Sequence, residues 1–516
     1  MEGWRRWGPA RGTETPRRRS SGEYRSGWGE SVTGPRNGRS TKNAGGVFQP
    51  GRSLWRVLSL HDTALGRPVE LVPREPGKFS FYACGPTVYD LPHIGHGRAM
   101  LSWDLIRRTL EWMGLEVTHV SNITDLDDKI IDRAAELKIS VRELTKKYEA
   151  EWWKASDALG ALRPHRAPRA TEFVDHMVDL IGALIEKGVA YDTPNTVYFS
   201  PSSVADYGQL ARQTIESLQA GARVESDPHK RAPVDFALWK KASGPADVPQ
   251  YPSPWGAGRP GWHTECVVMS LDILGEGFDL HGGGLDLMFP HHENERAQAV
   301  AMGRVFCRHW VHHGFIEMGG EKMSKSLGNF TSLTDLLRRV DPRAYRLLIL
   351  RGHYRSPIEV TPGLLSDAET ALSRFDGLAR RWGESPQATI GLEKALATLD
   401  AEAITRFRAK LERDLDTPGA MAVVFETLRV ANSAFDTEST HAEVLAATVF
   451  EMAGALGLFP APLEAPVPFA IVDLLRVLDA ARASKDWPTA DAARARLQAD
   501  GWVVEQTKAG SSVRRS

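Results

Sequence analysis

Lys78–Gly114 reads KFSFYACGPTVYDLPHIGHGRAMLSWDLIRRTLEWMG. KFSFYAC is an apolar run with the length of a buried strand, and Gly85-Pro86 turns the chain. A loop then leads into a helix. Leu101, Leu105, Ile106 and Leu110 recur at helical spacing, and Gly114 stops the pattern. EVTHVSNITD follows as the next strand. Strand, helix and strand at this spacing make a parallel α/β unit.

Outward from this unit the pattern changes. Residues from about 135 to 250 are mixed, and one helix there carries Phe173, Met177, Ile181, Leu184 and Ile185 before Gly188. This region reads as an insertion in the sheet domain. α/β signals return in FDLHGGGLDLMFPHHENERAQAVAMG and HWVHHGFIEMGGEKMSKSLGNF. From about residue 365 the pattern is helical, including Met421, Val424, Phe425 and Leu428. The Pro-rich FPAPLEAPVPFA precedes a last charged helical stretch and a short tail, and no internal repeat is present.

The bulk properties bound the rest. A chain of 516 residues suggests roughly three or four domains at about 150 residues each. No run of about 18 apolar residues exists, so no membrane partner is expected. The net charge of −1 does not announce a nucleic-acid partner, although a neutral total can hide basic patches. Three cysteines, Cys84, Cys266 and Cys307, exclude a disulfide framework and fit a reducing compartment. Residues 1–55 are rich in Arg, Gly, Ser and Pro without apolar periodicity, which predicts disorder. They lack the apolar core of a secretory signal, and Glu2, Glu14, Glu23 and Glu30 count against a transit peptide. A basic RNA-grasping tail and upstream sequence from a mis-assigned start, with a later start near Val57, are the two readings of this segment.

Three short stretches carry chemistry. In PHIGHGR, His93 and His96 flank Gly95 at a helix start, where free N–H groups and the dipole attract anions. Two imidazoles there can donate to a phosphate as its charge grows. In EKMSKSLGN, Lys322 and Lys325 lie between glycines, which suits a pyrophosphate leaving group; a solvated basic loop is the plainer reading. In FPHHENE, Phe289–Glu295, the side chains suit metal binding, acid–base work or the polar start of a surface helix. Only His291 and Glu295, four apart, share a helix face.

The histidine and lysine motifs together, in this order, resemble the class I aminoacyl-tRNA synthetases. FYACGPTVYDLPHIGHGR, NITDLDDKI, SPWGAGRPGWHTEC, HGGGLDLMFPHHENE and EKMSKSLGNF together resemble the cysteinyl-tRNA synthetase family, from about residue 57 to the end. The resemblance implies an α/β fold: a Rossmann-type parallel sheet catalytic domain with an insertion, then an α-helical anticodon-binding region and a small C-terminal segment. It divides the chain into a basic extension (1–55), the first catalytic half (56–134), a connective insertion (135–255) and a second catalytic half with the lysine loop (256–330). A stem-contact region (331–395), a helical anticodon-binding bundle (396–462) and a tRNA-binding C-terminal segment (463–516) follow.

By the same resemblance, Cys84, Cys266, His291 and Glu295 hold one zinc ion. The two cysteines inside α/β motifs then join the His–Glu pair that can share a face, a set of donors that suits zinc. His292 and Glu293 point elsewhere, as supporting or surface residues, and Cys307 is a buried thiol. The need for zinc follows from the substrate. A shaped pocket rejects a hydroxyl isostere by only ~10²-fold, whereas a metal with an open position selects soft sulfur over hard oxygen. His93, His96, Lys322 and Lys325 are implied as catalytic. Gly282, Gly283 and Gly284 join His93, His96 and Lys325 in binding ATP, which arrives with Mg2+; a tight turn after a strand is the plainer reading of the glycines. Thr124, Trp262 and His263 are implied in the substrate pocket, and Trp487 and Asp491 near the anticodon. The implied partners are L-cysteine, ATP and tRNA(Cys), and the implied state is a cytoplasmic monomer.

Three positions depart from the family pattern. Thr264 replaces an apolar residue before Glu265-Cys266, a change expected to be tolerated, and Gln506 and Val513 replace Asp and Trp in the tail. Two rivals share the motifs: a mycothiol-pathway cysteine ligase forming an amide with an amino-sugar, and an RNA- or zinc-binding paralogue without catalysis. About 190 residues after the lysine motif favour tRNA over the first, and intact His93, His96, Lys322 and Lys325 argue against the second.

Overall fold

The computed structural model describes residues 58–213, 227–242, 249–318, 321–322, 332–463, 469–507 and 510–515. The extension at residues 1–55 and Lys325 lie outside the described residues. Strands β1 (Ser59–Asp62) and β2 (Arg67–Glu70) form an antiparallel pair ahead of β3 (Lys78–Ala83). Helix α1 (Ile94–Trp112) then returns the chain to β4 (Glu116–Ser121), which pairs parallel with β3. Leu101, Leu105, Ile106 and Leu110 are all buried, and Gly114 takes φ +93° just past the helix, a conformation open to glycine. The helix starts at Ile94, with His93 as its N-cap and His96 in its first turn.

The chain leaves the parallel sheet after β4. Helices α2 (Asp128–Leu137), α3 (Val141–Ala158) and α4 (Val174–Glu186) lead to the antiparallel strands β5 (Ala190–Asp192), β6 (Thr196–Phe199), β7 (Phe236–Lys241) and β8 (Gly258–Pro260). Helix α5 (Trp262–Leu274) and β9 (Phe278–Gly284) re-enter the first sheet. Helix α6 (Glu293–Ala301) and β10 (Cys307–His313) complete it in the order β10-β9-β3-β4, all parallel.

Parallel strands are buried on both faces. Phe79 and Phe81 look toward a core shared with Leu105, Leu110, Phe407, Val424 and Phe450. Tyr82 and Val120 belong to a second core with Cys266, Val267, Phe278 and Trp310.

A three-stranded sheet of β11 (Ile316–Met318), β12 (Glu321–Lys322) and β13 (Ile358–Glu359) follows, with helices α7 (Leu333–Leu337) and α8 (Pro342–Leu350) between the last two. Helices α9 (Pro362–Trp382), α10 (Leu392–Thr398), α11 (Ala401–Leu411), α12 (Thr417–Asp436) and α13 (Ala442–Gly454) form the helical region. Met421, Val424 and Leu428 face its interior. Helices α14 (Phe469–Ala483) and α15 (Trp487–Ala499) share a separate small core with Trp502. The tail is more ordered than its sequence suggests. β14 (Trp502–Thr507) and β15 (Gly510–Arg515) form an antiparallel hairpin, in which Gln506 faces Ser511 and Val513 faces Val504.

Candidate active site

Four residues from three separate stretches of sequence meet at the C-terminal end of the parallel sheet. Cys84 follows β3, Cys266 stands in the second turn of α5, and Glu295 lies in the first turn of α6. His291 belongs to a single wide turn, Met288–His292, that runs directly into α6, so the four-residue spacing to Glu295 still places both on one face. One donor atom from each residue lies within 4.8 Å of the other three. The two sulfurs are 3.5 Å apart, and Cys84 Sγ is 3.5 Å from Glu295 Oε1. His291 Nε2 approaches Glu295 Oε1 at 2.7 Å.

A second set, Cys84, His281, His292 and Glu295, meets the same distance condition and shares two donors with the first. His281 Nε2 lies 2.8 Å from Glu295 Oε2 and 3.7 Å from Cys84 Sγ. His292 is already engaged, with Nδ1 2.7 Å from His312 Nε2. His292 and Glu293 are both fully buried, so neither is a surface residue; Glu293 accepts from the Leu210 N–H at 2.7 Å.

Despite their short approaches, His291 Nε2 and Glu295 Oε2 have no partner in hydrogen-bonding geometry among the described residues. Buried polar atoms are normally satisfied. Unpartnered buried atoms among four donors crowded on one point fit a metal-binding group. Two thiols, an imidazole and a carboxylate in the first set are the softer combination and suit zinc.

Burial and mutual contact shift the four groups in different directions. Burial pushes the Cys84 thiol well up. Burial also raises Cys266, yet the neighbouring Cys84 thiol and His291 ring bring it down to about 6. Burial lowers His291, but Glu295 outweighs it and raises the ring to about 10. Burial raises Glu295, while His291 and His281 hold it well below the usual carboxylate range. Cys307 is only partly buried and donates to the His309 carbonyl at 3.5 Å, away from the cluster.

Around this centre, Trp262 stacks on the His291 ring at 3.9 Å, and His263 Nδ1 lies 3.0 Å from His291 Nδ1. Thr124 is buried, donates to Glu265 Oε2 at 2.8 Å and accepts from Asn122 Nδ2 at 3.0 Å. Asn122 is a link the motifs did not single out. Its Oδ1 accepts from Gly85 N–H at 2.8 Å and lies 3.8 Å from Cys266 Sγ. His281 and Glu265 were likewise not singled out, although each lies inside a quoted motif. Burial keeps the Glu265 carboxyl well above its usual range. Thr264 is fully buried, and its hydroxyl finds no partner among the described residues.

The glycines are strand residues rather than a turn: Gly282, Gly283 and Gly284 pair with Val311, His312 and His313. A Cβ on Gly282 would lie 2.3 Å from the Trp103 ring, and one on Gly283 would lie 2.7 Å from the His292 ring. Close packing therefore already requires glycine at both positions, whatever binds above them.

His93 and His96 cap α1 reciprocally. His93 Nδ1 accepts from His96 N–H at 3.3 Å, and His96 Nδ1 accepts from His93 N–H at 3.2 Å. The rings stack at 3.6 Å. Acceptance through Nδ1 assigns the neutral proton of each ring to Nε2, which makes it a donor. Lys322 lies on β12, whose backbone pairs with β11. Trp487 and Asp491 are exposed one turn apart on α15, remote in sequence from the other site residues.

Residues 70–370 match the family described as tRNA synthetases class I (C) catalytic domain, and residues 406–460 match the DALR domain. The chain is 42% identical over 478 residues to a cysteine--tRNA ligase of Aromatoleum aromaticum, covering 89% of this chain and 100% of the relative. It is 41% identical over 461 residues to one of Thermotoga maritima, covering 88% and 99%. Among solved structures, Mycobacterium tuberculosis methionyl-tRNA synthetase in complex with methionyl-adenylate is similar in fold. Its TM-score is 0.54 at 16% identity, over 74% of this chain and 90% of that one.

Proposed function

The chain belongs to the cysteine--tRNA ligase family of class I tRNA synthetases, and on that premise we propose that it joins L-cysteine to tRNA(Cys) at the expense of ATP. The cysteine carboxylate attacks the α-phosphate of ATP, forming cysteinyl-adenylate and releasing pyrophosphate. The 3′ hydroxyl end of the tRNA then takes the cysteinyl group and releases AMP. The observation that carries this reading is the convergence of Cys84, Cys266, His291 and Glu295 after β3 of the parallel sheet, in a chain that is 42% identical to a cysteine--tRNA ligase over that relative's whole length.

The roles of individual residues follow from this placement. His93 and His96 donate through Nε2 to the phosphates as negative charge develops. Lys322 and Lys325 neutralise the departing pyrophosphate, with Mg2+ carried in by ATP. Gly282, Gly283 and Gly284 give the adenosine close access to the sheet edge. Cys84, Cys266, His291 and Glu295 hold one zinc ion, which when bound supplies a soft Lewis-acid position for the substrate sulfur. Trp262 fixes the plane of the His291 ring by stacking, and His263 orients it through its Nδ1. Thr124 positions Asn122 beside Cys266. Trp487 and Asp491 meet the anticodon end of the tRNA. The enzyme acts as a monomer in the cytoplasm; free cysteines fit that compartment.

Cysteine-dependent ATP–pyrophosphate exchange followed by charging of tRNA(Cys), with serine as control, tests the reading. Exchange with cysteine and charging of tRNA are expected, with serine inert. Activation without charging, with cysteine passed instead to an amino-sugar, would overturn it. The match to the DALR domain and the full-length match to tRNA ligases favour tRNA over that rival.

A further inference from the structure

The two helix-start histidines take their direction from the backbone beneath them. Each Nδ1 accepts from an N–H of the same turn, His93 from His96 and His96 from His93. With Nδ1 tied to that backbone, the line along which each Nε2–H points moves with the turn. Whatever fixes the turn therefore fixes both donors.

Two contacts from outside α1 fix it. Leu333 opens α7, and its N–H, of the kind a helix start leaves without an internal acceptor, donates to the Pro92 carbonyl at 2.9 Å. Beside it, His93 and Ser332 form an antiparallel bridge. The second contact comes from α8, where the Tyr345 hydroxyl donates to the Ile94 carbonyl at 2.6 Å. Pro92 precedes His93 and Ile94 follows it, so the two anchored carbonyls bracket that histidine.

Tyr345 is fully buried in a core with Ile94, Leu101, Leu333 and Leu348. Burial pushes its phenol up, which keeps it a neutral donor. A buried hydroxyl costs free energy unless it is bonded, and phenylalanine would fill the same core without that demand. Packing alone therefore gives no reason for the oxygen. A Cβ on Gly97 would lie 3.1 Å from the Tyr345 ring and 3.0 Å from the Leu333 side chain, so both residues press on α1 one position beyond His96.

We propose that Tyr345 is a positioning residue for adenylate formation: its hydroxyl holds the Ile94 carbonyl so that the Nε2–H groups of His93 and His96 face the phosphates of ATP. The proposal rests on the role given to the two histidines above. Tyr345 lies buried behind the turn and acts only through it. Its contribution is geometric, and a misplaced transition-state donor costs rate more than it costs binding.

The test compares the full-length parent with Tyr345→Phe, His96→Ala and the double variant in cysteine-dependent pyrophosphate exchange. Rates are counted per active site by a burst of cysteinyl-adenylate, which removes any fraction that has not folded. Tyr345→Phe keeps the ring and removes one hydrogen bond. It should lower kcat by ~10-fold, a tenth of what a 1 Å misplacement can cost, with KM for ATP and for cysteine within about twofold. In the His96→Ala background the same substitution should cost less than about threefold, because one of the donors it aims is gone. A hydroxyl that served folding alone would act equally in both backgrounds. Equal losses in the two backgrounds, or exchange at the parent's rate in Tyr345→Phe, overturn the proposal while leaving the functional reading intact. A parent enzyme without cysteine-dependent exchange overturns the functional reading itself.

Discussion

Replacing Arg346 with methionine should unsettle the molecule far more than any surface arginine. Arg346 is 2% exposed and sits where three parts of the chain meet. Its Nη1 lies 2.5 Å from Asp104 Oδ2 on α1 and donates to the Leu456 carbonyl beyond α13 at 3.1 Å. Its Nη2 donates to the Leu159 carbonyl after α3 at 3.0 Å. Arg346→Met leaves both carbonyls without this donor and Asp104 with Arg108 and the Leu162 N–H alone. Breaking one side of a buried pair costs about 3–5 kcal/mol, because the remaining charge stays desolvated. Asp104→Leu should cost a similar amount. The double variant should cost clearly less than the two added together, leaving a coupling energy of about 1.5–3 kcal/mol in a double-mutant cycle.

Equilibrium urea unfolding measures all three variants. The pH dependence gives a second readout. Burial raises the Asp104 carboxyl, but Arg346 and Arg108 outweigh it and hold it below its usual value. A depressed folded pKa contributes stability above the unfolded value of about 3.9, and that contribution fades as pH falls through the folded one. The gap between parent and Arg346→Met should therefore be widest near neutrality and narrow below about pH 4. An Arg346→Met cost under about 1 kcal/mol would refute the reasoning, as would strictly additive single effects.

Other expectations are simpler. Metal analysis should find zinc retained in Cys307→Ser and weakened in Cys266→Ser; equal zinc in Cys266→Ser and the parent would sink the ligand assignment. His96→Ala and Lys325→Ala should each lower adenylate formation by ~10²–10³ with cysteine affinity little changed, and a loss of affinity at full rate would contradict their roles. Thr264→Val removes a buried hydroxyl that lacks a partner and should raise unfolding free energy by about 1 kcal/mol; a decrease would mean that the hydroxyl has a partner after all. Trp487→Ala should weaken tRNA binding by about 1–3 kcal/mol if its exposed ring stacks on a base, and pyrophosphate exchange should stay unchanged.

Local pattern was enough to place β3, α1 and β4, because helical and strand periodicities are short-range properties that neighbouring residues carry themselves. The His291–Glu295 spacing was legible for the same reason: four residues along a helical path return to the same face whether the first turn is wide or regular. Cys84 and Cys266 could be joined to that pair from sequence only through the family resemblance, since 182 residues separate them. Tertiary structure brings them together because β9 pairs with β3 in parallel register, Ala83 opposite Gly282, which sets the start of α6 above Cys84. The same register decided what no motif announced. It brought His281 against Glu295, so that two overlapping donor sets share one carboxylate. It also pressed Gly282 and Gly283 against Trp103 and His292, a packing reason for glycine that sequence presents only as a run. The links made by Asn122 and the junction at Arg346 were hidden for one physical reason. Burial and charge pairing depend on which distant elements pack together, and a single residue's neighbours in sequence carry no trace of that.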